Sequence, residues 1–248
     1  MKKYSIDINC DVGEGIGNEA ELLPLISSCN IACGGHAGDI ETMTNVVRLA
    51  KENKVRVGAH PSYPDKQNFG RVSMDIPSEL LVKSIQTQIE SFTSVLEKEN
   101  VPIHHIKPHG ALYNDIVRDE DLAKVFLEAI AMYKGYVFLY VPYNSKIEAE
   151  SLKKNFNIKY EAFGDRNYNK DLSLVSRKLP NAVIEKPELV LSHLLSMVKE
   201  GRLKTQDGGH VELQADTFCI HGDTPSALQI LMYLTSALPE HNILIKRE

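Results

Sequence analysis

Four of the nine histidines, His36, His60, His109 and His221, each follow a short β-branched or apolar run and stand beside glycine or proline, in NIACGGHAGD, GAHPSYPD, KPHGALYND and CIHGDTP. INCDVGEG and FGDRNY close two further runs with Asn9, Asp11 and Glu14 and with Asp165 and Arg166, while Lys107 and Asp223 lie two residues from His109 and His221. Imidazoles beside carboxylates suit two kinds of chemistry. A divalent metal held by Asp11, His60 and His109 would activate a water. Without a metal, a carboxylate or imidazole would move protons while Lys107 or an arginine stabilises a developing oxyanion. Spacing does not choose between them, because the groups come from separate runs and not from one helix.

Any one of these histidines, taken alone, reads as a hydrogen-bonded structural group. Their shared position is what singles them out, since His193 and His241 fall on helical stretches instead. His104 and His105 lie earlier in their run and read as structural or supporting groups. Glycines beside the histidines permit tight turns and close approach to the backbone. Gly13, Gly15 and Gly17 lack the lysine and spacing of a P-loop and the register of a dinucleotide loop, so nucleotide binding by this chain is not expected.

The elements that must position these groups are legible from periodicity. Seven strand-like runs fall near 4–11, 28–36, 55–61, 103–110, 136–142, 158–165 and 216–221. Amphipathic stretches follow near 19–27, 39–53, 77–99, 120–134, 145–154, 187–200 and 225–238. Asp39 is placed to cap the second helix, and Pro77 opens the third in a tolerated first-turn position. Strict β-then-α alternation predicts parallel strands, whose functional groups gather at their carboxyl ends. Seven units close more naturally into a (β/α)7 barrel of TIM-barrel type than into the competing open, doubly wound sheet. The polar stretches 62–76 and 164–186 are too long for simple turns and are expected to lie over the strand ends.

A chain of 248 residues that is 43% apolar fits one such domain spanning 1–248. The net charge of −5 is spread along the chain with no basic run, which argues against a nucleic-acid partner. The chain runs from Met1-Lys2-Lys3-Tyr4 straight into a strand pattern without a signal-peptide core, and no apolar run approaches the length of a membrane span, so a cytoplasmic location is expected. Cys10, Cys29, Cys33 and Cys219 fall in predicted strands and read as small buried residues, with no second cysteine pair to complete a zinc site.

With INCDVGEG, NIACGGHAGD, GAHPSYPD, NFGR (68–71), KPHGALYN, DRNY, SLVSR (173–177) and HGDTP in view, the chain resembles the LamB/YcsF family of 5-oxoprolinase A subunits from Ile6 to about Pro225. The resemblance implies a seven-stranded β/α barrel similar to that of the polysaccharide deacetylases. It also implies cleavage of the 5-oxo-L-proline lactam to L-glutamate, with ATP as co-substrate and with partner subunits B and C carrying most of the ATP-using step. On that reading Asp11, oriented by His60 or His109, activates water, and Lys107 or His221 assists protonation of the ring nitrogen. Arg71, Arg166 or Arg177 grips a carboxylate or phosphate, and Asn9, Glu14, His36 and Asp165 complete the substrate-binding set. Gly35 stands where the family commonly has an aromatic, Gly164 where alanine is usual and Ser176 where proline is usual. A stand-alone metal-dependent amide hydrolase of deacetylase type is the main alternative, and a non-catalytic subunit that delivers a small ligand is a third.

Overall fold

The structure is a computed structural model that describes residues 2–224 and 226–247. Pro225, the end of HGDTP and the first residue of the last expected helix, lies outside the described residues, as do Met1 and Glu248.

In chain order the strands are β1 (Tyr4–Val12), β2 (Ser28–Ala32), β3 (Arg56–His60), β4 (Ile103–Ile106), β5 (Phe138–Val141), β6 (Ile158–Phe163), β7 (Arg202–Lys204), β8 (His210–Glu212), β9 (Thr217–Cys219) and β10 (Ile243–Ile245). The helices are α1 (Glu19–Leu22), α2 (Ile40–Glu52), α3 (Ser78–Glu99), α4 (Gly110–Arg118), α5 (Glu120–Ala129), α6 (Lys146–Lys153), α7 (Pro187–Glu200) and α8 (Ala227–Ala237). Strands β1 to β6 and β9 form a parallel ring in that order. Closure is explicit in the register. Thr217 of β9 pairs with Glu161 on one side and Asp7 on the other, and Cys219 pairs with Phe163 and Asn9. The open-sheet alternative is thereby excluded.

Alternation along each strand separates two environments. Ile6, Ile8, Cys10 and Val12 of β1 join the apolar layer under the helices. Asp7, Asn9 and Asp11 make their side-chain hydrogen bonds across the barrel interior, to Ser28 and Thr217, to Thr217 and Asn30, and to Asn30 and Lys107. The lumen is therefore polar, where barrels of this type are commonly filled by branched aliphatic residues. At its amino end Asp7 is also paired with buried Arg56.

Several boundaries differ from expectation. The fourth run ends at Ile106, and residues from Gly110 onward, within KPHGALYND, form α4 in front of the expected helix α5. The first crossover is one turn of α-helix followed by a 3-10 turn, Leu23–Leu25. Pro77 precedes α3 as its cap residue without a side-chain cap, while Asp39 caps α2 as expected by accepting from Thr42 N at 2.8 Å. The β7–β8 hairpin and β10, which pairs with the start of β1, are additions. All four cysteines are free and buried, with Cys33 just past β2. Among the described residues no helix is long and apolar enough to cross a membrane.

Candidate functional site

The carboxyl rim of the barrel opens into a cleft of about 470 Å³ lined by Asp11, His60, Lys107, His109, Arg177 and His221, among others. The two long loops contribute as their position over the strands demands: Arg71 and Ser73 come from the first, Arg166 and residues 174–178 from the second.

Asp11 sits at the base of the cleft. Its Oδ1 accepts from Asn30 Nδ2 at 2.7 Å and from Lys107 Nζ at 2.9 Å, while Oδ2 lies 3.4 Å from His60 Nε2. Burial pushes the Asp11 carboxyl upward, but His60 and Lys107 outweigh it and hold the group well below the usual carboxylate range. Asn30 is itself fixed, because its Oδ1 lies 2.6 Å from Nε2 of His105, whose ring stacks on Tyr140 with centroids 4.0 Å apart. His105 thus supports the site from below.

His60 and His109 have fixed tautomers. His60 Nδ1 donates to the Lys107 carbonyl at 2.7 Å, and His109 Nε2 donates to the Phe69 carbonyl at 3.0 Å. Phe69 holds a left-handed backbone, φ 55°, which aims that carbonyl inward. The remaining nitrogens, His60 Nε2 and His109 Nδ1, face each other at 3.0 Å. Glu14 Oε1 lies 3.4 Å from His109 Nδ1 and 3.9 Å from His60 Nε2. Burial first, and then Asp11 and Asp223, push the Glu14 carboxyl well above its ordinary range. Burial likewise holds His36 down at about 2 and keeps His109 well below the usual imidazole range.

His221 donates from Nδ1 to Asp165, whose oxygens lie at 2.9 and 3.1 Å, and its ring stacks on Phe163. Asp165 is fully buried behind it, so His221 alone of that pair lines the cleft. Asn9 and His36 also stand behind the wall. Asn9 is held by Thr217, Asn30 and Lys107, and His36 by Glu14 at 3.0 Å. The guanidinium of Arg166 donates to the carbonyls of Ala182 and Val175, so it braces the second loop. Arg71 pairs with Asp223 across the mouth, and Arg177 stands exposed on the wall.

Reading strand ends alone misses Glu161, whose Oε1 lies 2.9 Å from Lys107 Nζ at an ion-pair distance outside hydrogen-bond geometry. It also misses Tyr113 and Arg118 on α4, which line the cleft. Alternation within β6 is the signal for Glu161; for the α4 residues the Pro–His–Gly sequence hides the helix start.

A closed parallel β/α barrel with an imidazole and carboxylate cluster at its carboxyl rim defines the class of protein. The chain matches the LamB/YcsF family over residues 6–247 and belongs to it. A protein of Thermococcus sibiricus, named as the A subunit of 5-oxoprolinase, is 44% identical, with 97% of this chain and 96% of the relative covered. A protein of the same name from Haemophilus influenzae is 38% identical, with 99% of each covered. The crystal structure of a lactam utilization protein from Thermus thermophilus superposes with a TM-score of 0.91 at 35% identity, over 98% of this chain and 100% of that one.

Two of the three positions expected to depart from the family pattern sit in tight surroundings. A Cβ on Gly35 would overlap the Gln88 side chain, which occupies the space and binds Ser62 through its backbone N and O. Ile220 and Leu194 close in around Gly164. Nothing in the structure explains Ser176, which is exposed.

Proposed function

We propose that this chain opens the ring of 5-oxo-L-proline to give L-glutamate, as one subunit of an ATP-dependent 5-oxoprolinase acting in the cytoplasm with partner subunits of the B and C kind. The observation that carries this reading is the Asp11 carboxylate, with Oδ1 anchored by Lys107 and Asn30 and Oδ2 toward His60 at the base of the cleft. The names of the relatives support the substrate class.

A lactam is stabilised by amide resonance, so phosphorylation of its carbonyl oxygen is a sensible activation. This chain lacks a P-loop, and the ATP-using step falls to the partners. The activated ring then enters the cleft, where Arg177, and Arg71 on leaving Asp223, hold its carboxylate or phosphate through paired N–H donors. Asp11 accepts a proton from the attacking water. His221, oriented by Asp165, delivers a proton from Nε2 to the ring nitrogen as the C–N bond breaks, which leaves an acyl phosphate, and a second water cleaves that to release L-glutamate and inorganic phosphate. Lys107 acts through Asp11, keeping it ionised, because its ammonium is shared between Asp11 and Glu161.

The facing nitrogens of His60 and His109 favour one second reading, a metal-dependent amide hydrolase that needs neither partner nor ATP. Combining the chain with B and C subunits, 5-oxoproline and ATP, and measuring glutamate and ADP, separates the two. Glutamate formed only by the full mixture is the expected result. Glutamate from this chain alone supports the second reading, and none from the full mixture refutes the proposal.

A further inference from the structure

His60 and His109 present a geometry that proton transfer alone does not require. Each ring spends one N–H on a backbone carbonyl, which leaves His60 Nε2 and His109 Nδ1 as bare lone pairs when the rings are neutral. Those lone pairs stand 3.0 Å apart on rings turned 87° to one another, with a carboxylate oxygen of Glu14 completing the triangle. Two imidazole nitrogens and a carboxyl oxygen thus converge on one buried point, as the ligand atoms of a shared cation do.

From this we infer that His60 Nε2, His109 Nδ1 and Glu14 Oε1 form a three-ligand site for a divalent transition-metal ion of the zinc type, with the fourth position turned toward Asp11. The edges of the triangle are 3.0, 3.4 and 3.9 Å. A tetrahedral ion with bonds of about 2.1 Å needs donor separations of about 3.4 Å, which these values bracket. Two imidazoles with a carboxylate select a first-row transition ion over magnesium or calcium, whose shells are built from oxygen. Imidazoles that ligate a metal commonly donate their other N–H to a carbonyl or carboxylate, as both rings do here.

His36 belongs to the site as a positioning residue and not as a ligand. Its ring lies parallel to that of His109, with centroids 3.6 Å apart and planes 2° apart, so the in-plane lone pairs of the two rings run side by side and do not converge. Its Nε2 lies 3.0 Å from Glu14 Oε1, which sets that carboxyl group against the two ligating rings. Asp11 Oδ1 is committed to Asn30 and Lys107, while Oδ2 lies 3.4 Å from His60 Nε2, placed to accept a proton from a water on the ion. The ion would thus strengthen the hydrolytic step proposed above, but the geometry that calls for it stands without that reading.

The test is made on the isolated chain without substrate or partner, so that it reads binding and leaves turnover aside. Chelator-stripped protein is titrated with Co²⁺, monitored by visible absorption, and the Co²⁺ is then displaced by Zn²⁺. The expected result is saturation at one ion per chain, a four-coordinate cobalt spectrum, and loss of that spectrum in His60→Ala and His109→Ala. His36→Asn should retain the spectrum and bind about 10–100-fold more weakly. Absence of saturable binding by the wild type overturns the inference, as does unchanged affinity in folded His109→Ala. Should the alanine variants fail to fold, the wild-type melting temperature decides: equimolar Zn²⁺ raises it if the site exists and leaves it unmoved if it does not. Failure of turnover in the full complex while Zn²⁺ binds counts against the proposed reaction and not against the site.

Discussion

Lys107 Nζ and Asp11 Oδ1 form an ion pair at 2.9 Å in the barrel interior, with the lysine 2% exposed. Burial would lower the Lys107 ammonium, but Asp11, Cys219 and Glu161 hold it well above the usual lysine range. Replacing it with methionine leaves two carboxylates without a counter-charge. Lys107→Met should therefore lose about 3–5 kcal/mol of unfolding free energy in urea. Lys107→Met combined with Glu161→Gln should recover part of that loss, and equal stability of the single and double variants would contradict the shared-ammonium account.

Asp165 gives a pH dependence whose sign is fixed. Burial raises its carboxyl, but His221 outweighs burial through its charge and its ring and backbone N–H donors, and the group stays below the ordinary range. A depressed carboxyl contributes stability above its unfolded value, about 3.9, and loses it as pH falls through the folded value. Acid unfolding of Asp165→Asn should accordingly depend less steeply on pH below about 4 than that of the wild type. With His221 no longer oriented, its turnover in the full complex should fall by about 10²–10⁴-fold.

Gly58 lies in register between Asn30 and His105 on the neighbouring strands, where an added Cβ would overlap the His105 ring. Gly58→Ala is expected to lose about 1–3 kcal/mol through overpacking, measured by urea unfolding. It should also lower kcat, because His105 can no longer hold Asn30 against Asp11.

Much of this arrangement is readable from the chain. The seven barrel strands and most helices follow from periodicity, and the two long polar stretches, too long for simple turns, fall over the rim, with Tyr63, Asp165, Tyr168 and Val175 buried beneath them. The three-residue strands of the β7–β8 hairpin and β10 carry too little periodic signal to be seen, whereas β9, equally short, is betrayed by the HGDTP motif that follows it. The start of α4 is concealed because Pro108 and Gly110 read as a turn, whereas Gly110, at φ 57°, packs against the Gly70 carbonyl as the helix begins. Strand-end residues are visible singly, but their division into cleft wall and support is not. Asn9, His36 and Asp165 carry the same side-chain types as groups that face the cleft, and only the closed register shows which ones stand behind it. Alternation of polar and apolar residues in INCDV is the overlooked signal of a polar lumen, since a strand covered on both faces is ordinarily apolar throughout.

Arg177 is exposed on the cleft wall, and its removal should leave the fold intact. Arg177→Ala should raise KM for 5-oxoproline in the full complex by about 10–100-fold, the range for a lost charged hydrogen bond, with an unchanged melting temperature. An unaltered KM would take Arg177 out of substrate binding.

Asp11 bears most directly on the account, and Asp11→Asn keeps its shape while removing the base. Glutamate release from 5-oxoproline should be measured in the full complex with ATP, alongside the circular dichroism of the isolated variant. The account predicts a folded variant whose release falls by at least about 10²-fold. A folded Asp11→Asn protein that releases glutamate at the wild-type rate would contradict it.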